Sequence, residues 1–362
     1  MRITFLIIVF LHGLIHILGF VKGSGISEVK ALKLPVSSLE GVIWLVAALL
    51  ITVFGTLKST NYRYAWLAGF IAVAVSQTLV IMFWEDARAG TLPNIMILLV
   101  SIASLGNFNF KKQVEAETAN LLGKVKDTTT RVMVENDIKE LPEPVKQWLH
   151  RTGAIGKPYI ISGRVVQRAQ MKMKPGQKRW IRASALQYST IPVPGFIWTV
   201  NAEMNPLVYF MGRDKYFEGQ GEMLIKLNSL FNVANEKGPR LTESTVQRYL
   251  GEMVWFPSMA PGKNITWEQV DDVTVRAEMN YKGVTAGGTF HFSKEGDFIS
   301  YSAQRFMENS PDAQRFEWVL DVEEYGTFGG IKVPSRMTAT WKLPDGDWTW
   351  LMLEIEDIKY NP

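Results

Sequence analysis

The chain has 362 residues, 47% of them hydrophobic, a formal net charge of +4 and no cysteine. That length allows two domains, and apolar residues pooled toward the N-terminus put one of them in lipid. The missing cysteine excludes a disulfide framework, a thiolate catalyst and a cysteine metal site, while a modest positive charge without a concentrated basic stripe points to anionic lipid nearby and away from nucleic acid.

Four apolar runs read as membrane spans: Ile3 to Val21, Gly41 to Leu57, Tyr64 to Trp84 and Leu92 to Phe108. Each is near the ~17–25 residues that cross a bilayer as a helix. The first follows only Arg2, as a signal peptide would, but it is too long for a signal core and has no small-residue cleavage pattern before Lys22. Trp44, Tyr62, Tyr64, Trp66 and Trp84 sit at or near span ends, where amphipathic rings prefer the interface. An even number of spans leaves both chain ends on one face. That face carries Arg2, Lys58, Arg63, Lys111, Lys112, Lys124 and Lys126 against Lys22, Lys30, Lys33 and Arg88 on the other. The positive-inside rule then predicts a multi-pass protein of the cytoplasmic (inner) membrane with its C-terminal region in the cytoplasm.

His12 and His16 are four residues apart and share one helix face. Ionisable groups at such depth often mark an ion, proton or metal path. Glu85 and Asp86, just after the third span, would close a polar site with them if all lie at one depth. Two histidines make only half a metal site, so neutral imidazoles bonded to neighbouring helices weigh more, and neither metal nor cofactor is expected. Gln77 reads as a further interhelical polar contact.

Residues 110–140 read as a partly helical linker that Thr128-Thr129-Thr130 interrupts. The join at Leu141 to Tyr159 predicts a short helix, opened by prolines on both sides of Glu143 and stopped at Gly153 and Gly156. The pattern then changes to period two. Tyr159–Lys174 and Arg179–Ile191 read as a hairpin, further short strands continue to Ile358, and Gly212-Arg213-Asp214 reads as a tight connection. One helix, capped by Thr242 and ended by Pro257, interrupts the series. The fold class is α+β: a four-helix transmembrane bundle over 1–109, a linker over 110–140, and a large antiparallel sheet curled into a half-barrel over 141–362.

Catalytic machinery is not expected in the sheet domain. His150 and His291 lie in different elements without a triad spacing, Gly287-Gly288 lacks the context of a nucleotide fingerprint, and the acidic pairs Asp271-Asp272 and Glu323-Glu324 each split across a strand. Aromatic residues carry the stronger signal. Tyr188, Trp198, Tyr209, Trp255, Trp267 and Trp318 are placed to wall an apolar cavity for a lipid or acyl chain, with a plain packed core as the competing reading. Lys172, Lys174, Lys178, Arg179 and Arg182 gather at the first hairpin, either for phospholipid head groups or as a solvated tip.

The sequence resembles an uncharacterised bacterial membrane-protein family with a C-terminal domain of unknown function. The resemblance rests on His12-Gly-Leu-Ile-His-Ile-Leu-Gly-Phe20, Phe83-Trp-Glu-Asp-Ala87 with Gly90-Thr91, the join at Leu141 to Tyr159, Pro194-Gly-Phe-Ile-Trp198, Trp255-Phe-Pro257 and Gly330-Ile-Lys-Val-Pro334. It implies membership and no catalytic role. The closing segment, with Gly330 to Arg336, Trp341 and Glu354 to Ile358, is also similar to the end of lipoprotein-carrier half-barrels. Three functions stand as expectations: a membrane-tethered protein binding a lipid or lipidated partner, a membrane enzyme or proton-linked protein working through His12, His16, Glu85 and Asp86, or a structural tether.

Overall fold

The computed structural model describes residues 2–125, 131–205 and 208–362. Lys126, Thr128 to Thr130 and Leu207 lie outside the described residues. The chain forms two compact units, Met1–Gln113 with Asn228–Leu230, and Val114–Leu227 with Phe231–Pro362.

The first unit is helical. It comprises α1 (Arg2–Gly23), α2 (Ser38–Ser59), α3 (Ala65–Met82), the single turn α4 (Trp84–Ala87) and the start of α5 (Thr91–Gly123). Among the described residues four helices are long and apolar enough to cross a membrane. α2 opens with a reciprocal cap: the Ser37 hydroxyl accepts from the Glu40 backbone N–H at 3.3 Å, and the Glu40 carboxylate accepts from the Ser37 N–H at 2.7 Å. Small residues let α1 approach α2. A Cβ on Gly19 would stand 2.2 Å from the Trp44 ring, and one on Gly23 would stand 2.7 Å from the Gly41 Cα. α5 runs well past Phe108, because leaving the apolar stretch removes no helix-forming tendency. Its Lys, Gln, Glu and Ala residues are good helix formers, and the first glycine after Gly106 is Gly123.

The second unit holds α6 (Glu135–Ile138), α7 (Glu143–Thr152), β1 (Ser162–Met171), β2 (Ile181–Thr190), β3 (Gly195–Asn205), β4 (Val208–Phe217), β5 (Gln220–Leu227) and β6 (Phe231–Lys237). After α8 (Pro239–Gly251) come β7 (Ile265–Gln269), β8 (Thr274–Tyr281), β9 (Val284–Phe292), β10 (Phe298–Phe306), β11 (Arg315–Phe328), β12 (Ile331–Leu343) and β13 (Gly346–Tyr360). The strands make one antiparallel sheet in the order β6-β5-β4-β3-β2-β1-β13-β12-β11-β10-β9-β8-β7. Two meanders thus meet where β1 pairs with β13, and α8 links the two outermost strands. α8 touches β4 and β5 on one wing and β8, β9 and β10 on the other. One helix about 10 Å across can touch both wings only if the sheet curls around it. The inner face and α8 bury a single large apolar core around Phe196, Tyr249, Leu250, Phe290 and Tyr301.

The join helix forms as expected, with Pro142 before its first residue and Gly153 in the left-handed conformation at φ 70°. Three local expectations do not hold. Gly212-Arg213-Asp214 lies inside β4, and the turn falls at Glu218-Gly219, both at positive φ. Gly212 answers a close contact instead of a turn, since a Cβ there would stand 2.8 Å from Val200 Cγ1. α8 begins at Pro239 and not at Thr242, because proline suits the first helical position, and the Thr242 hydroxyl accepts from the Gly221 N–H at 3.1 Å. Finally, β6 has no counterpart among the strands expected from the sequence. As an edge strand largely exposed on both faces it carries only Phe231 and Val233 in alternation before turning polar, too short a pattern to read.

Candidate functional site

Strand parity brings buried charge together on the inner face of the curl. Gln187 on β2 stands opposite Trp198 on β3, which stands opposite Asp214 on β4, so the three form one row. α8 presents Arg248 to that row, and Glu252, one helical turn later, shares its face. Arg248 Nη1 donates to Asp214 Oδ2 at 2.8 Å, its Nε to Glu252 Oε1 at 2.7 Å and its Nη2 to Gln187 Oε1 at 3.2 Å. Gln187 Nε2 in turn donates to Glu252 Oε2 at 2.7 Å. The guanidinium also lies 4.8 Å from the ring centres of both Phe196 and Trp198. Burial lifts the Asp214 carboxyl above its usual range, while Arg248, which burial alone would lower, is raised by Glu252 and Asp214.

Beside this quartet is a cavity of about 60 Å³, walled by Trp198, Trp255, Trp318, Trp350 and Met337 and by Arg305. At roughly 15 Å³ for each water-sized site, it holds a handful of water-sized groups. Arg305 lies on β10 with the same parity as the buried Tyr301 and Ala303. Its guanidinium carbon is 4.4 Å from the Trp318 ring centre and 5.8 Å from that of Trp341. The nearby acids Asp214 and Glu252 are bonded to Arg248, and the buried Arg305 Nε has no hydrogen-bond partner. Burial first, and then the like charge of Arg248, pushes Arg305 down to about 10. The indole nitrogens of Trp318 and Trp350 are likewise buried without partners.

Of the six aromatic residues named from the sequence, Trp198, Trp255 and Trp318 line the cavity. Two of these are fixed by bonds of their own, Trp198 Nε1 to Gln167 Oε1 at 2.8 Å and Trp255 Nε1 to the Pro334 carbonyl at 3.1 Å. Trp267 lies elsewhere, its indole donating to the Ala260 carbonyl at 3.0 Å and its ring 5.4 Å from Phe290. Tyr188 alternates to the other face of β2 from Gln187, and Tyr209 pairs with Glu203 away from the cavity. Sequence reasoning missed Asp214, Arg248, Glu252 and Arg305. A usable signal existed for Arg305, a charged residue at an inward position of an alternating strand.

The first unit has a polar cluster of its own. His16 Nδ1 donates to the His12 carbonyl at 2.9 Å, and Ser76 Oγ lies 2.8 Å from His16 Nε2. Asn94 Oδ1 is 2.9 Å from both His12 Nε2 and Ser76 Oγ. Asn94 Nδ2 donates to Gln77 Oε1 at 3.0 Å, and Gln77 Nε2 to Thr91 Oγ1 at 3.2 Å. The cluster therefore joins α1, α3 and α5. Glu85 and Asp86 are not brought into it: Glu85 is exposed, and Asp86 accepts from the backbone N–H groups of Lys33 and Leu34 at 2.6 and 2.8 Å, fastening the α1–α2 loop. Among the described residues no group of three His, Cys, Asp or Glu could hold a metal ion.

No curated protein matches the chain. Among solved structures, a LolA-superfamily protein from Nitrosomonas europaea aligns over 60% of this chain and 94% of its own, at 13% identity and a TM-score of 0.32. A β-barrel-like protein of the domain of unknown function DUF1849 from Brucella abortus aligns over 56% and 99%, at 6% identity and a TM-score of 0.26. The second unit carries the stronger match, over residues 131–353, and by it the chain belongs to DUF6544, a family of unknown function.

Proposed function

We propose that this protein is a membrane-tethered binding protein whose curled sheet takes an apolar ligand, a lipid or a lipidated partner, into the cavity beside α8. One observation carries the reading: tryptophans from β3, β11, β13 and the turn after α8 surround open space where a packed core would interdigitate. Each methylene buried there contributes about 0.8 kcal/mol. The small volume sets the scale of the ligand, with only a head and the first carbons enclosed. The helices would hold the domain at the cytoplasmic face of the inner membrane, and the His12, His16, Ser76 and Asn94 cluster would serve to hold the bundle together.

Filling the cavity tests this. Ala339 is buried and lines it, so Ala339→Leu places new methyl groups in the space a ligand would use. Native mass spectrometry of the full chain released from detergent is expected to show an acyl-chain adduct on the wild-type protein and its loss from the variant, with the melting temperature kept. Adducts of equal abundance on both proteins, or on neither, reject the reading.

A further inference from the structure

We propose that the cavity recognises the anionic head of its ligand through Arg305, so that the ligand class is a single-chain amphiphile ending in a carboxylate or phosphate. The inference rests on the apolar-ligand reading above and adds the chemistry of the head. Its basis is a mismatch between donors and acceptors. Two carboxylates reach the inner face here, and Arg248 takes both: Asp214 at 2.8 Å and Glu252 at 2.7 Å. Glu252 spends its other oxygen on Gln187. Arg305, against the Trp318 ring, is left with a buried Nε that no protein atom accepts from. Around the same cavity the Trp318 and Trp350 indole N–H groups are also buried and unpaired. Both groups are donors only, as is a guanidinium. Buried polar groups in folded proteins are nearly always satisfied, so three unmatched donors around one cavity call for an acceptor.

A guanidinium and two indole N–H groups suit an oxyanion, because charge-assisted bonds are roughly twice as strong as neutral ones and the planar fork matches carboxylate or phosphate. The walls suit the first carbons of an acyl chain behind that head: Met337, Leu320, Leu351 and Leu353 offer no acceptor side chains. A neutral glyceride head or sugar would bring hydroxyl donors, for which the lining side chains offer only Thr338 and the carboxylates of Asp214 and Glu252, both already bonded to Arg248. Contact with the Trp318 ring at 4.4 Å and the Trp341 ring at 5.8 Å keeps the guanidinium in place before any ligand arrives, which lowers the ordering cost of binding.

The test uses the full chain in lipid nanodiscs with three photoreactive probes of equal chain length: a fatty acid, an alkyl phosphate and a fatty alcohol. Crosslinks are mapped to peptides of β10–β13 and competed with unlabelled compound. On the wild-type protein at least one acidic probe is expected to label these peptides with about tenfold higher apparent affinity than the alcohol, and the comparison of the two acids identifies the head. Arg305→Met is expected to bring all probes to the alcohol's level, while Arg305→Lys keeps part of the preference. Arg305→Met is also expected to melt no lower than wild type, since replacing an uncompensated buried charge with an apolar side chain relieves desolvation. Equal labelling by acid and alcohol overturns the head-group assignment and leaves the apolar site standing; specific labelling by none of the three overturns both. A markedly lower melting temperature for Arg305→Met with an unchanged acid preference assigns Arg305 to the fold and also overturns the proposal. If Arg305→Met does not fold, Arg305→Lys decides: a preference equal to the wild type's in every respect rejects recognition by the guanidinium.

Discussion

Arg248 and Arg305 are both arginines of the inner face, yet they stand in opposite electrostatic positions. Arg248 is the shared counter-ion of Asp214 and Glu252, which are bonded to it at 2.8 and 2.7 Å. Removing it leaves two carboxylates facing each other in a place where burial already raises Asp214. Breaking a buried pair from one side costs about 3–5 kcal/mol, because the charge left behind is uncompensated. Arg248→Met is therefore expected to lower stability by that amount in chemical unfolding of the full chain, and adding Asp214→Asn to it is expected to recover part of the loss. A loss below about 1 kcal/mol, the level of an exposed pair, contradicts this account of the quartet. The polar cluster of the bundle contrasts with Arg305 in another way. His12, His16, Ser76, Asn94, Gln77 and Thr91 bond to one another in an unbroken series, so each of these side chains already has a partner within the bundle.

At the scale of elements β6 is an edge strand with little buried side chain. Lys237 on β6 reaches Glu222 on β5 at 2.8 Å, and the same carboxylate takes Lys215 at 2.9 Å and Arg213 at 3.1 Å from β4. One acid thus ties three neighbouring strands. Burial alone would raise the Glu222 carboxyl; the bonds from Lys237, Lys215 and Arg213 outweigh it and hold the group at about 2 against an ordinary 4.5. A depressed carboxyl contributes stability that is fully present above the unfolded value and is lost as pH falls toward the folded one. The wild-type domain should therefore lose stability between about pH 4.5 and 2 more steeply than Glu222→Gln, and at neutral pH the variant should exchange β6 amide hydrogens faster. Parallel stability curves for the two proteins would remove Glu222 from this role. Such ties were not readable from the sequence, although most of the elements were. The spans show as unbroken apolar runs and the hairpins as alternation, because both patterns are local. Asp214 was hidden by the Gly-Arg-Asp triplet, which has the composition of a turn but lies within β4 where Gly212 makes room for Val200. The cavity was visible only through its tryptophans. Its other walls come from β4, α8, β10, β12 and β13, and only the curl of the sheet around α8 brings elements so distant in the chain to one place.

For the whole molecule, the side of the membrane on which the proposed tethering puts the sheet decides which pool of amphiphiles the cavity samples. In the proposed tethering, four helices long and apolar enough to cross a membrane would return the chain to the side on which it started. The excess of Lys and Arg on that side argues for the cytoplasm, where a single-chain anion would arrive from the inner leaflet or from solution. Because the chain has no cysteine, any cysteine introduced is its only thiol. Ser27, in the loop between α1 and α2, and Asp345, in the turn between β12 and β13, are both exposed and lie on opposite sides in this topology. With a membrane-impermeant maleimide, Ser27→Cys is expected to label in cells with a sealed inner membrane, and Asp345→Cys only after permeabilisation. Neither substitution removes a buried group, so labelling reports access and not unfolding. The reverse pattern would put the sheet outside, where the cavity would meet the outer leaflet and whatever passes through the envelope; labelling of both without permeabilisation would mean that the helices do not cross four times.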